Sequence, residues 1–152
     1  MLGDIVPATR THALMMAPHV RAAEVREIAA SDGITPVRLL IREVENSISA
    51  WSWLVDGEVA CMFGVRSPTL LDGTSYPWFI STALVETHAR QFARACKALL
   101  PELLAAHPRL SGMVDARYTL SVRWLEWLGA TISSPEPWGV SGVPFRRFTL
   151  GA

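Results

Sequence analysis

Residues 51–65, which read WSWLVDGEVACMFGV, constrain the fold more than any other stretch of the chain. Apolar side chains alternate on both sides of Asp56-Gly57, at Trp51, Trp53 and Val55 and then at Val59, Cys61, Phe63 and Val65. A period of two is typical of β-strands. An Asp-Gly pair between two such runs favours a two-residue turn, because both turn positions require positive φ. The sequence therefore predicts an antiparallel hairpin here.

Two helices are predicted before the hairpin. Residues 18–31 have a proline near their start and good helix formers after it, and Asp32-Gly33 can end that helix. Thr35 can cap a second helix whose first position is Pro36. Apolar residues recur in it at steps of three and four, at Val37, Leu40, Ile41, Val44 and Ile48.

A second turn is predicted at residues 67–75 and a further strand at 76–84, which Pro77 interrupts or leaves unpaired at its start. Residues 86–106 predict a long helix that Pro101 kinks or splits. Its apolar side is expected to carry Phe92, Cys96, Leu99, Leu100, Leu103 and Leu104. A strand at 109–116, a helix at 121–130 and strand material at 131–134 and 144–150 complete the pattern.

Residues 121–130, SVRWLEWLGA, predict a short amphipathic helix. Trp124, Leu125 and Leu128 point to one side of it, while Arg123 and Glu126 stay near its solvent edge. Gly129 fits the position just past a helix end. Trp127 lies at the edge of the apolar side, so it is our candidate residue for binding a partner.

The composition limits the classes of function that we expect of this chain. Half of the 152 residues are hydrophobic, so one domain spanning 1–152 can bury a core without disulfides. The 14 basic and 14 acidic side chains balance, so no nucleic-acid or membrane surface is predicted. The segment MLGDIVPATR has Asp4 and Pro7 in its apolar run, so we expect neither a signal peptide nor a membrane span, and a soluble protein.

Metal and nucleophile signatures are absent from the sequence. Cys61 and Cys96 lack metal-ligand spacing and are predicted to be buried free thiols. His12, His19 and His107 also lack such spacing and are expected at the surface, so no metal site is predicted. No GxSxG or Cys-His pattern indicates a hydrolase.

The order of elements alternates between helices and strands, which favours a mixed α/β (α+β) sheet with helices on both faces. Within it, residues 118–130 (YTLSVRWLEWLGA) resemble N-x-x-[SA]-x-R-[FW]-[YL]-x-x-L-G-F, a pattern of the GNAT acyltransferase superfamily. Residues 53–65 are similar to that superfamily's second and third strands, and the resemblance extends from about Arg21 to Leu150. It implies a mostly antiparallel, twisted sheet of about six or seven strands with about four flanking helices.

The resemblance also implies where acetyl-CoA would bind. In GNAT proteins a loop of pattern [QR]-x-x-G-x-[GA] holds its pyrophosphate at the start of the long helix, where glycine allows a close approach. This chain has HARQFA at residues 88–93, with Gln91 in place of the glycine. The candidate cofactor-binding residues are Val85, His88, Arg90, Gln91 and Ala93.

Proton transfer departs from the family pattern too. Leu125 occupies the position of a tyrosine that protonates the leaving thiolate in many GNAT enzymes, and leucine cannot donate a proton. Tyr118 replaces the asparagine that often opens the motif, and it is the candidate acid. Glu86, His88 and Asp115 lie near the predicted strand ends and are the candidate bases.

A narrower resemblance is to GNAT-like virion proteins of short-tailed bacteriophages, carried by RWLEWLG (123–129), RQFARACKALLPEL (90–103) and PFRRF (144–148). It implies a degenerate GNAT scaffold without a cofactor, made in the host cytoplasm and then assembled with other virion proteins, with a homo-oligomer in the particle left open. The alternative is an active acyl-CoA-dependent N-acyltransferase of unknown acceptor, with acetyl-CoA as its cofactor.

Overall fold

A computed structural model describes residues 3–66 and 73–151, which form six α-helices and eight strands. The helices are α1 (Arg10–Met16), α2 (Ala22–Asp32), α3 (Pro36–Asn46), α4 (Leu84–Thr87), α5 (Ala89–Ala106) and α6 (Thr119–Trp127). The strands are β1 (Asp4–Pro7), β2 (Ser47–Val55), β3 (Glu58–Arg66), β4 (Tyr76–Ser81), β5 (Arg109–Asp115), β6 (Thr131–Ile132), β7 (Glu136–Pro137) and β8 (Pro144–Gly151).

The strands form two four-stranded units. The first has the order β1-β2-β3-β4, and the second has β5-β8-β6 with β7 also paired to β8. All of these pairings are antiparallel, and a parallel bridge between Ser75 and Leu110 connects the two units. The mixed α/β class with a mostly antiparallel sheet is therefore confirmed. The structure has more strands and helices than the expected six or seven strands and four helices, because it includes very short elements: β6, β7 and α4 have only two to four residues each.

The predicted hairpin is present as β2 and β3. Asp56 and Gly57 have φ of 50° and 80°, as the two-residue turn requires. Trp51 pairs with Phe63, and their ring centroids are 5.5 Å apart. Part of the second predicted turn, residues 67–72, lies outside the described residues.

Tertiary contacts move two of the predicted helix boundaries. The predicted helix at 18–31 begins only at Ala22, because Val20 forms a bridge with Thr82 and the Arg21 amide donates to the Ser81 carbonyl. Its predicted end is confirmed, since Gly33 has φ 68°. The placement of Ile48 on the second helix was wrong: α3 begins at Pro36 as predicted but ends at Asn46, and Ile48 belongs to β2.

The long helix is divided at His88, with α4 before it and α5 after it, and the predicted split at Pro101 was wrong. Leucines on both sides of Pro101 pack against the core formed by Val65, Leu110 and Leu150, and they hold α5 as one helix: Leu100, Leu103 and Leu104. The predicted apolar side of α5 is only half-buried.

The other sequence predictions have mixed outcomes. Cys61 and Cys96 are free thiols, the first buried and the second half-buried. Of the three histidines expected at the surface, His19 is exposed, whereas His12 and His107 are half-buried, with His12 Nδ1 accepting from the Thr9 amide at 3.2 Å and His107 Nδ1 3.1 Å from Ser75 Oγ. Across 3–66 and 73–151, no cluster of His, Cys, Asp or Glu could hold a metal ion, and no helix has the length and hydropathy needed to cross a membrane.

Helix α6 begins at Thr119, and Gly129 follows it with φ 99°, as a helix end requires. Trp124 stacks on Phe92 with ring centroids 5.8 Å apart and contacts Phe79 at 5.2 Å. Trp127 is 48% exposed, and Lys97 Nζ lies 4.3 Å from its ring centroid. The predicted contrast between a packed Trp124 and an exposed Trp127 is therefore confirmed.

We predict that Trp124→Ala lowers the free energy of unfolding by about 3–5 kcal/mol, because it leaves a hole beneath α5 and removes two ring contacts. Trp127→Ala should lower it by about 1 kcal/mol or less, since that ring is half-exposed and loses mainly the contact with Lys97. Denaturant melts of the two variants provide the comparison. Equal losses would contradict the packing described for α6.

Candidate functional site

A gap opens where β4 separates from β5. The Ser75 amide donates to the Arg109 carbonyl, and the Ser111 amide donates to the Ser75 carbonyl, both at 3.0 Å. Along a strand, every second residue points its N–H and C=O to the same side, so Ser75, Pro77 and the alternate residues after them face β5. Pro77 is the next of them and has no N–H, so the ladder cannot continue. Pro77 lies within β4 opposite Val65, so it does not interrupt the strand, but the other edge of β4 has no strand partner at this position, as the second predicted alternative has it.

Two clefts meet at the gap. The first has a volume of about 360 Å³ and is lined by side chains of α2, α4, α5 and α6 as well as the strands. The second, of about 690 Å³, is lined by α2, α3 and the strands, together with Trp138. Both clefts share a set of residues at their junction: Glu27, Ser31, Leu39, Pro77, Trp78 and Met113.

Helix α2 occupies the end of the exposed β4 edge. Glu24 accepts hydrogen bonds from the Ser81 amide at 2.9 Å and the Ser81 hydroxyl at 2.6 Å. Arg21 Nε donates to Glu24 at 2.9 Å, and Arg21 Nη1 donates to Glu86 at 3.1 Å. Burial raises the pKa of Glu24, although Ser81 and Arg21 oppose the shift. The last backbone groups of β4 are thus already hydrogen-bonded within the chain.

Glu27 lies one helical turn further along α2, at the junction of the clefts. Its Oε2 accepts the Asp115 amide at 2.9 Å. No described Lys, Arg or His side chain forms an ion pair with it. Burial raises the pKa of Glu27 to about 7; the Asp115 hydrogen bond opposes this shift, and the charges of Glu24 and Asp115 add to it. Glu27 is therefore a carboxyl that changes charge near neutral pH.

Four residues were predicted as acid or base. Three of them, Tyr118, Glu86 and Asp115, lie at the gap, but none is well placed for that role; the fourth, His88, lines neither cleft. The Asp115 carboxylate is bound by Arg117 Nη2 at 2.7 Å and Nε at 3.0 Å; burial alone would raise its pKa, yet these bonds lower it. Tyr118 is buried, which raises its pKa to about 12. Glu86 has a side chain 61% exposed and is paired with Arg21.

Sequence reasoning missed the charged residues of α2. Arg21, Glu24 and Glu27 follow each other at steps of three, which puts them on one helix face. That spacing was the available signal. The same spacing is typical of a solvent-exposed helix face. Here the face points into the protein because β4 and β5 are separated.

Of the predicted cofactor-binding residues, only Val85 lines either of the two clefts. Val85 is buried in the core, and the His88 Nδ1 lies 3.1 Å from the Leu84 carbonyl with its ring against Trp53. Arg90 is exposed in the first turn of α5, while Gln91 and Ala93 are half-buried further along that turn.

We predict that Glu27→Gln removes a pH dependence of stability. The folded pKa of about 7 lies above the ordinary value of 4.5, so the contribution of Glu27 is complete below about pH 4.5 and is lost as the pH rises through 7. Glutamine keeps an acceptor oxygen for the Asp115 amide and carries no charge. The variant should therefore gain about 1–3 kcal/mol over the parent protein between pH 5 and pH 8 in denaturant melts. The exposed Glu45→Gln is the control, and parallel curves for Glu27→Gln and the parent would refute the assignment.

No family model and no curated protein sequence matches the chain. Solved structures match nearly all of it in shape. An N-acetyltransferase from Staphylococcus aureus Mu50 has 12% identity and a TM-score of 0.73, with 99% of each chain covered. A ribosomal-protein-alanine N-acetyltransferase from Brucella melitensis has 10% identity and a TM-score of 0.72, with 98% of this chain and 99% of that one covered.

A third structure is yncA of Salmonella typhimurium, assigned as an acetyltransferase and determined with its cofactor acetyl-CoA. Its identity is 12% and its TM-score 0.69, with 99% of this chain and 94% of that chain covered. Identities this low establish architecture and leave activity to be argued from the site. The chain has the fold of the GNAT-type acetyltransferases.

Proposed function

We propose that this chain binds a molecule carrying a protonated amine in the gap between β4 and β5, with Glu27 as the carboxylate that receives it. One observation carries the proposal: Glu27 is an unpaired acidic side chain at the junction of two clefts. Amine binding is the acceptor half of the reaction of an N-acetyltransferase, the activity of two of the similar structures.

The neighbouring charges single out Glu27. Arg21 is shared by Glu24 and Glu86, and Arg117 is bound to Asp115, so each of those three carboxylates has a cationic partner. A half-buried anion without one is costly, and a ligand ammonium group would offset that cost. Binding would also lower the pKa of Glu27, so the site favours the ammonium ion when Glu27 is ionised.

The acyl-CoA half of such a site does not fit the residues present. The Ser81 amide at the edge of β4 donates to Glu24, and Pro77 offers no amide at all. Gln91 stands in place of the glycine expected at the start of α5, and Leu125 is a buried core residue that cannot protonate a thiolate. We therefore derive no acyl transfer through this cofactor, and the proposed function is amine binding on a GNAT fold.

An active N-acyltransferase of unknown acceptor is the second candidate. It is supported by the similar structures, which are acetyltransferases and which favour this activity over a role in a virion. Arg90, exposed in the first turn of α5, could still attract a phosphate group. Acetyl-CoA would then be the cofactor.

Assembly into a bacteriophage particle with other virion proteins, after synthesis in the host cytoplasm, is a separate proposal. It is supported by the resemblance of residues 90–103, 123–129 and 144–148 to virion proteins and by the exposure of Trp127. Its observable is the presence of this chain in purified particles by mass spectrometry. Reduced incorporation of Trp127→Ala would identify that ring as the anchor.

For amine binding, we predict that benzylamine binds at pH 8 with a Kd in the low millimolar range and that benzyl alcohol, the uncharged analogue, does not. Affinity should rise between pH 6 and pH 8, because Glu27 ionises through its pKa of about 7. Glu27→Gln should weaken benzylamine binding at least tenfold. NMR titration of each variant provides the measurement.

Glu86→Gln is the matched control, because it removes the same charge at the same end of the gap from an exposed side chain already paired with Arg21. We expect it to change the benzylamine affinity by less than twofold. Equal weakening by both substitutions would mean that the overall negative charge, and not Glu27, attracts the amine. Unchanged binding in Glu27→Gln would overturn the proposal.

For the cofactor, we predict that calorimetry detects no binding of acetyl-CoA at millimolar concentration. A Kd below about 100 μM, equivalent to about 5.5 kcal/mol, would instead favour the acyltransferase. In that case Arg90→Ala should weaken binding if the start of α5 holds the phosphates. Benzylamine binding without acetyl-CoA binding would separate the two candidates.

A further inference from the structure

An apolar cavity lies beneath α5 and adjoins the first cleft, with which it shares seven lining residues, although Glu27 is not one of them. We call it the α5 cavity; its volume is about 140 Å³. Its walls come from both sheets, α5 and α6, and include Trp53, Phe63, Phe79, Leu99, Leu103 and Phe148. No Asp, Glu, Lys, Arg or His is among the described residues that line it.

Aromatic rings hold α5 away from the sheet. Phe92 of α5 lies on Trp53 of β2 and on Phe79 of β4, with centroid separations of 5.9 and 5.4 Å. As a result, none of the described α5 side chains is fully buried, although its inward side is apolar. An engineered apolar cavity of roughly 150 Å³ stays dry and binds benzene, so the α5 cavity has the size for one small apolar molecule.

Trp124 supplies an unused hydrogen-bond donor at the wall of this cavity. Its indole Nε1 is buried and has no acceptor among the described residues. By contrast, the indole of Trp78 donates to Ser47 Oγ at 2.8 Å. A buried donor without an acceptor destabilises the folded protein, and a ligand oxygen that accepted from it would remove that cost.

We propose that the α5 cavity binds a small uncharged molecule with an apolar body and one hydrogen-bond acceptor, to which Trp124 Nε1 donates. Charged ligands are disfavoured, because no side chain in the wall could compensate a charge. The thiol of Cys96, also in the wall, stays neutral at physiological pH, since burial raises its pKa to about 12. Glu27 does not line the cavity, although Trp124 lines both the cavity and the first cleft, so the two proposed sites are neighbours with different binding groups.

Acetophenone and ethylbenzene test the proposal, because they have nearly the same shape and only the ketone carries an acceptor. The protein, labelled with ¹⁵N at its six tryptophans, is titrated with each compound while the indole N–H signals are followed. We expect both compounds to bind. Acetophenone should shift the signal that Trp124→Phe removes, and the hydrogen-bonded Trp78 signal should move less.

Two variants separate the hydrogen bond from the space. Trp124→Phe keeps a ring and removes the N–H, so it should weaken acetophenone about tenfold and change ethylbenzene by less than twofold. Ala95→Leu fills the cavity from α5 and should abolish binding of both compounds. Denaturant melts verify that each variant folds. Failure of both compounds to bind, equal weakening of both by Trp124→Phe, or an unchanged acetophenone affinity in that variant would overturn the proposal.

Discussion

The separation of β4 from β5 is the constraint on which the rest of this structure depends. Ser75 is the last residue of that edge whose amide and carbonyl both pair with β5. Pro77, two positions later, offers no N–H to the ladder, and β4 forms no further strand pairing with β5 beyond Ser75. The β4 edge beyond Ser75 must therefore be satisfied by something other than a strand, which explains the position of α2.

Helix α2 replaces the missing strand with side chains. The Arg21 amide, just before α2, donates to the Ser81 carbonyl, and the Glu24 carboxylate accepts from the Ser81 amide. On the opposite side of the gap, the Glu27 carboxylate accepts from the Asp115 amide. One helix thus binds the ends of both separated strands. The arrangement buries the Glu24 carboxylate and half-buries that of Glu27, and Arg21 pairs with the first but not with the second. The uncompensated carboxylate of Glu27 is an electrostatic cost of this arrangement, and it is the basis of the proposed amine binding.

The sequence was sufficient to predict those features whose backbone conformation depends on the local residues alone. Asp56-Gly57 and Gly129 require positive φ, and Pro36 suits the first position of a helix, so these features could be predicted. The start of α2 could not, because the pairing of Val20 with Thr82 joins residues far apart in sequence. The continuation of α5 through Pro101 could not be predicted either, because it depends on the packing of the neighbouring leucines against the core.

The site was harder to predict than the fold for the same reason. Glu86, Asp115 and Tyr118 could be assigned to the correct end of the sheet, because they follow strands or begin helices there. Their chemistry depends on partners that the sequence does not reveal, such as Arg117 on Asp115. Glu27 is indistinguishable in sequence from a solvated helix residue.

The direction of ligand entry follows from the aromatic contacts around the gap. On the α6 side, the rings of Phe79 and Trp124 lie 5.2 Å apart in the wall of the smaller cleft. On the α3 side, the larger cleft of about 690 Å³ reaches Glu27 directly, and its walls include Tyr76 and Trp138. An amine that reaches Glu27 from this side would leave the rest of its molecule against these aromatic rings. The gap is therefore suited to an amine attached to a flat or apolar group, and a small, fully hydrated amine would gain little from the same walls.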